Sequence, residues 1–214
     1  MTPSATSAKR SYDSSRRLAT AADTRIAVIA AATKLFSERG WTTSVRDIAR
    51  EAGVAVETVY KTVGSKRELL KVAMDVAIVG DDEPIALAER HEFAALGEGD
   101  RSTRLGRAAA MMADQYSRVA ALHHALDQGA ETDEELAELK RHAHEQQLTT
   151  FAEGLTLALG RRPEPGLVVG LQAISSPGTY LHLIRMGGWT QEQYQEWLGR
   201  TLLQLLAHIP EESA

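Results

Sequence analysis

The chain has 214 residues, of which 43% are hydrophobic, and its formal net charge is −5. This length and apolar content suffice for one or two domains with a core. The absence of cysteine excludes a disulfide scaffold and cysteine-based zinc sites and favours the cytoplasm, and the longest small apolar run, residues 26–32, is far too short to span a membrane.

The charge is unevenly distributed along the chain. Residues 1–72 hold 13 Lys and Arg against 7 Asp and Glu, a net +6, whereas residues 73–214 hold 11 against 22, a net −11. A basic N-terminal part beside an acidic remainder is typical of a small DNA-binding domain joined to a domain that avoids DNA. Chance segregation of solvated charge is the alternative.

The N-terminal elements follow from composition and apolar spacing. Residues 1–22 are rich in Ser, Thr, Ala and Arg and low in hydrophobicity, which predicts a disordered arm. A first helix is predicted from about residue 23 to Glu38, and Gly40 ends it. Its expected apolar face comprises Ile26, Ile29, Ala30, Thr33 and Phe36, with Leu35 beside it. Short helices over 45–52 and 56–62 follow.

The remaining elements are also helical. Ser65 and Glu68 form a capping box for a fourth helix that ends near Gly80, and residues 81–84 mark a domain junction. No period-2 alternation long enough for a sheet occurs, so the fold class is all-α, with about nine helices. The predicted domains are a DNA-binding domain over 23–71 and a helical effector-binding and dimerisation domain over 72–214. Further helices are expected at about 84–96, 102–128, 132–159, 167–174, 177–186 and 191–209, with capping boxes at Thr132 and Thr190.

Residues 45–64 have the pattern of a helix-turn-helix. The small Ala49 permits two helices to cross closely, and Gly53 suits the left-handed backbone of the corner between them. Ile48, Val54 and Val59 are expected to fill the wedge between the helices. The second helix would then lie in a DNA major groove.

Residues 24–71 resemble the DNA-binding domain of the tetracycline-repressor (TetR) family. The matching residues are Phe36, Gly40, Thr43-Ser44, Ile48-Ala49, Ala52-Gly53-Val54, Thr58-Val59-Tyr60, Ser65-Lys66 and Leu69-Leu70. The sequence departs from the family pattern at Ala55, where a Ser is usual, and at Thr62-Val63 and Gly64. The segment 176–206 is similar to the last two helices of actinobacterial members.

The DNA-contacting candidates lie on the two helices of this motif. Thr43 and Ser44 precede the first helix, where hydroxyls and free N–H groups suit a phosphate, although Ser44 also caps its own helix. Glu57 either accepts from a cytosine amino group or points away. The resemblance implies phosphate contacts for Tyr60 and Lys66. The full set comprises Thr43, Ser44, Arg46, Val56, Glu57, Thr58, Tyr60, Lys61 and Lys66.

The sequence offers no catalytic or metal motif. Neither His123-His124 nor His142 and His144 have the i, i+4 spacing that brings two ligands together on a helix. No phosphate loop, nucleophile elbow or carboxylate pair occurs. We therefore expect no metal, no cofactor and no enzyme activity.

The C-terminal helices carry candidates for a ligand pocket and a dimer interface. Large side chains that could line an apolar pocket, or simply form core, are Met111, Met112, Tyr116, Phe151, Tyr180 and Trp189. A leucine stripe too large for one chain to cover is expected to pair with a second copy, as the resemblance also implies. It comprises Leu167, Leu171, Leu198, Leu202 and Leu205.

The resulting hypothesis is a homodimeric regulator that binds a palindromic double-stranded DNA operator, a repressor released by an unknown small apolar effector. No membrane is expected among its partners. The alternative is a DNA-binding adaptor or architectural protein controlled by a protein partner, which a filled core without a cavity would favour.

Overall fold

The structure, a computed structural model, describes residues 6–79 and 91–210, with side chains described for residues 20–78 and 91–210. Within these ranges every regular element is helical, with nine α-helices of seven residues or more, one four-residue α-helix and two three-residue 3-10 helices. The predicted all-α fold class is confirmed. The chain divides into two compact units, with the boundary between Ala73 and Met74.

Four helices lie at the N-terminal side: α1 (Thr6–Arg39), α2 (Val45–Glu51), α3 (Val56–Thr62) and α4 (Lys66–Val79), the last of which crosses the boundary between the units. The expected disordered arm is wrong for residues 6–22, because α1 begins at Thr6. No Gly or Pro interrupts α1, and its first half is rich in Ala and Arg, which favour helix. Residues 1–5 lie outside the described residues.

The buried face of α1 differs from the predicted one. Val28, Leu35 and Phe36 are buried, together with the small Ala31 and Ala32, whereas Ile26 is 66% exposed. Because the run 26–32 is apolar at every position, its sequence does not determine which face of the helix is buried. Packing against α2 selects the stripe that contains the two alanines.

The C-terminal unit is built around its longest helix, α6. Its elements are α5 (His91–Ala94), α6 (Arg101–Ala130), α7 (Glu134–Leu159), α8 (Pro165–Ile174), α9 (Pro177–Arg185) and α10 (Gln191–Leu206). Helix α6 packs against α7, α9 and α10. The predicted capping box at Thr190 is confirmed, but α7 is capped by Asp133 in place of Thr132. The predicted junction over 81–84 and most of the helix predicted over 84–96 lie outside the described residues.

Helices α8 and α9 form an apolar pair interrupted by two serines. The Ser175 hydroxyl donates to the Leu171 carbonyl at 2.7 Å, and Ser176 caps α9 ahead of Pro177. By length and composition alone, the run Pro165–Arg185 could cross a membrane. The break at the serines divides it into two short helices, and a third of its most apolar stretch is buried within the fold.

Candidate nucleic-acid interface and cavity

The corner between α2 and α3 has the geometry that its sequence requires. Gly53 adopts a φ of 68°, in the left-handed region that its missing Cβ makes accessible. Ile48, Ala49 and Val59 are almost completely buried, so the two helices are joined by a continuous apolar wedge. Because this wedge fixes α2 against α3, the outer face of α3 is presented on a rigid frame.

The outer face of α3 carries polar side chains that are free to contact a ligand. Glu57, Tyr60 and Lys61 are exposed, with Tyr60 at 54%, while Val56 and Thr58 are half-buried. Neither Glu57 nor Lys61 forms an ion pair with any described residue. A short helix with an unpaired cation, an unpaired anion and a phenol on one surface suits base edges and phosphates in a groove.

The two ends of α3 are secured unequally. Ala55 is the N-cap residue, in extended backbone with no side-chain hydrogen bond. A Ser is usual here in the family pattern, so α3 lacks the side-chain cap that a Ser would provide. At the other end, the Arg25 guanidinium donates from Nη1 to the Thr62 carbonyl at 2.7 Å. Helix α1 therefore holds the last turn of α3, a contact that sequence analysis missed.

The start of α2 is closed by a capping box. Ser44 accepts from the Asp47 N–H at 3.1 Å, and its hydroxyl donates to the Asp47 carboxylate at 2.6 Å. This hydroxyl, assisted by the nearby Arg50, holds the pKa of Asp47 below its usual range. Next to the box, Arg46 is exposed and pairs with no described residue, so its cation is available to a phosphate.

Thr43 does not have the role that its position suggests. The side chain is only 1% exposed, and its hydroxyl donates to the Leu35 carbonyl at 3.0 Å. Its N–H also donates, to the Gly40 carbonyl. The predicted phosphate contact by Thr43 is therefore wrong: this residue ties the last turn of α1 to the segment that leads into α2.

Lys66 is held by an aromatic partner that sequence analysis overlooked. Its Nζ lies 3.8 Å from the centre of the Trp41 ring and donates to the Trp41 carbonyl. Partial burial lowers the pKa of Lys66. Trp41 in turn stacks on Phe36, so the lysine is anchored to the end of α1. The ammonium group of Lys66 has further protons to donate, so it can still bind a phosphate. That contact stays a prediction.

A cavity of about 680 Å³ lies within the C-terminal unit, between α6 and α7. Four of the six side chains predicted to line a pocket do line it: Met111, Met112, Tyr116 and Phe151. Its size falls within the range of roughly 300–1,000 Å³ typical of small-molecule sites. Sequence analysis missed the polar contribution of α7, because the spacing of its glutamines and glutamates resembles that of an ordinary solvated face.

The prediction is wrong for Tyr180 and Trp189, which do not line this cavity. Tyr180 packs edge-on against Tyr116 and Tyr194, with ring centres 6.2 and 4.8 Å apart. Trp189 packs against Trp197 at 5.8 Å, and Trp197 lies 5.9 Å from Tyr194. These rings form a connected aromatic row that begins at the cavity wall and runs through α9 to α10.

The predicted leucine interface is mostly wrong. Leu171, Leu198 and Leu202 are at most 2% exposed, because they fill the core of their own chain. Of the predicted set only Leu205 is exposed, at 40%, and Leu167 is half-buried. The buried stripe of α10 comprises Tyr194, Leu198, Leu202 and Leu206, which leaves Leu203 and Leu205 outside it.

A helix-turn-helix with a polar outer face is the arrangement by which many regulatory proteins bind the DNA major groove. Residues 28–73 match the sequence profile of the bacterial regulatory proteins of the tetR family. The helix-turn-helix part of the chain is therefore of the type found in the tetR family of bacterial regulatory proteins.

Solved structures of similar fold cover most of the chain. A transcriptional regulator from Rhodococcus sp. Rha1 is 21% identical, with a TM-score of 0.61 over 86% of this chain and 96% of its own. A structure described as a TetR-family regulator from Mesorhizobium loti is 18% identical, with a TM-score of 0.62 over 87% and 96%. One from Syntrophomonas wolfei is 14% identical, with a TM-score of 0.63 over 89% and 98%. No curated protein sequence matches the chain.

Proposed function

We propose that the protein is a homodimeric transcriptional repressor that binds a palindromic operator and leaves it when a small molecule with a largely apolar body occupies the cavity. The observation that carries the DNA-binding part is the outer face of α3, where Glu57, Tyr60 and Lys61 project from a helix fixed by a buried wedge. Arg46, exposed at the start of α2, adds a cation for the phosphate backbone.

The ligand-dependent part rests on the cavity. A ligand that binds one conformation of the C-terminal unit more tightly than another shifts the protein toward that conformation by its difference in affinity. A regulator controlled only by a protein partner has no need of an internal space of about 680 Å³, so the cavity favours the ligand hypothesis over the adaptor hypothesis. A protein that acts on DNA inside a bacterial cell belongs in the cytoplasm.

The dimer is proposed to use the outward faces of α8 and α10 in place of the buried leucines. Val169 on α8 is 57% exposed, and Leu205 on α10 is 40% exposed. One helix-turn-helix reads only a few base pairs, whereas a symmetric pair reads two half-sites related by a two-fold axis.

Selection of bound sequences from a pool of random duplexes tests the function as a whole. The full-length protein is expected to enrich an inverted repeat, with half-sites centred about one helical turn apart or a multiple of it. Lys61→Ala should lower the affinity for the enriched duplex, whereas Arg200→Ala, an exposed cation of the C-terminal unit, should not. A pool that shows no enriched sequence would contradict the proposal.

A further inference from the structure

The charged side chains that line the cavity are all acidic. Among the described residues that line it there is no Lys and no Arg, while Glu145 and Glu153 both contribute. The other polar lining groups are amides, hydroxyls and two histidines. Burial lowers the pKa of His123, which favours its neutral form. The lining therefore presents net negative charge.

The two carboxylates lie at the outer rim. Glu145 and Glu153 are exposed on α7, eight residues apart, which is about 12 Å along the helix axis. Neither forms an ion pair or a side-chain hydrogen bond with a described residue. The cations that precede them on the same helix are already paired, Lys140 with Asp127 and Arg141 with Glu134.

The inner part of the cavity is apolar and aromatic. Phe93, Tyr116 and Leu155 are buried there, and Met111 and Met112 add flexible thioether side chains that adapt to different shapes. Aromatic faces attract a cation that lies over them. The Tyr116 hydroxyl is hydrogen-bonded to the Gln147 side chain, so its polar group already has a neutral partner.

From this arrangement we infer that the effector is an organic cation with a bulky apolar body that packs against the aromatic and methionine wall, within electrostatic reach of Glu145 and Glu153. This inference rests on the proposed ligand-responsive function and specifies the ligand class. A buried anion would find no counter-charge in the lining and would lose its hydration without compensation.

A pair of probes with the same shape and opposite charge tests the inference: tetraphenylphosphonium and tetraphenylborate. Binding of each to the full-length protein is measured by calorimetry at pH 8, where imidazole side chains are in general neutral. We expect the cation to bind at least about tenfold more tightly than the anion, and the difference to shrink as salt is added.

Substitutions of the two rim carboxylates test whether they cause the preference for a cation. Glu145→Gln combined with Glu153→Gln should weaken the binding of the phosphonium probe about tenfold or more and should leave the protein folded, since both carboxylates are exposed and unpaired. Glu131→Gln combined with Glu196→Gln removes the same charge from exposed positions outside the cavity and should have little effect. Met111→Trp, which fills the cavity, should reduce binding of the cation in an otherwise folded protein.

Three results would overturn the inference: tighter binding of the borate probe, equal binding of both probes, or an unchanged affinity for the cation in the Glu145/Glu153 variant. Operator release, measured separately with each probe, distinguishes the two proposals. Release by the anion alone would contradict the ligand class and leave the ligand-responsive repressor standing. Tight, rim-dependent binding of the cation without release would contradict the repressor mechanism and leave the ligand class standing.

Discussion

Thr43 and Ser44 are adjacent hydroxyl residues with opposite environments. Thr43 is buried and bonded to the end of α1, whereas Ser44 is exposed and caps α2. The sequence places both before a helix, and nothing in their local pattern reveals which hydroxyl turns inward. That choice depends on the path of the chain from Gly40 to α2, which tertiary packing determines.

Thr43→Val tests the structural role of Thr43. Valine has the same shape but cannot donate to the Leu35 carbonyl, so the free energy of unfolding should fall by about 0.5–1.5 kcal/mol. Urea denaturation measures this loss. At temperatures where the variant is folded, its DNA affinity should match that of the parent. An unchanged stability with weaker DNA binding would return Thr43 to the phosphate contacts.

Glu57→Gln tests whether the carboxylate on α3 reads a base. The side chain is exposed and unpaired with any described residue, so it repels phosphates unless a cytosine amino group donates to it. Sequence selection with the variant should show a changed preference at one base pair in each half-site, together with tighter binding to unrelated duplexes. Glu38→Gln, an exposed change on α1, is the control and should alter neither. An unchanged preference would mean that Glu57 points away from the bases.

At the scale of the elements, the helices of the C-terminal unit could be predicted better than the faces that they bury. Serine and threonine caps and the glycine after α7 mark helix ends locally, so most ends were predicted to within a few residues. The buried stripes of α1 and α10 were partly misassigned, because both helices have apolar side chains on more than one side. A choice among such stripes requires the neighbouring helix.

Ala55→Ser supplies the cap that α3 lacks. The backbone of Ala55 already has the extended conformation of an N-cap, with φ −72° and ψ 151°, so a serine hydroxyl can accept from the first turn without rearrangement. The free energy of unfolding should rise by about 0.5–2 kcal/mol in urea denaturation. Ala55→Val, which cannot accept a hydrogen bond, should not produce this gain. A serine variant no more stable than the parent would show that water already satisfies this end.

At the scale of the whole molecule, the proposed dimer depends on apolar side chains of α8 and α10 that are exposed in the single chain. Val169→Asp combined with Leu205→Asp should shift the protein from dimer to monomer in sedimentation velocity, because a buried unpaired carboxylate is costly at an interface. The far-ultraviolet circular dichroism should stay unchanged, since both side chains are exposed within the chain. Leu157→Asp, an exposed position on α7, is the matched control and should leave the dimer intact. A double variant that remains dimeric would place the interface elsewhere.

The fold class and the helix-turn-helix follow from sequence because they depend on local spacing, as at Ala49, Gly53 and Val59. The cavity could be predicted only in part. Its apolar wall was indicated by Met111, Met112, Tyr116 and Phe151, but its acidic rim comes from a helix whose polar residues look like solvent-facing ones. Only the packing of α7 against α6 reveals that Glu145 and Glu153 border a cavity.

We propose that this chain reads DNA sequence as a symmetric pair of helix-turn-helix units. The test is fluorescence anisotropy of the full-length protein on its selected duplex and on a scrambled duplex of equal length, over a range of salt concentrations. We predict that the selected duplex binds at least about a thousandfold more tightly, with two chains per duplex and a logarithm of affinity that falls linearly with the logarithm of salt concentration. Equal affinity for the two duplexes, or one chain per selected duplex, would contradict the account.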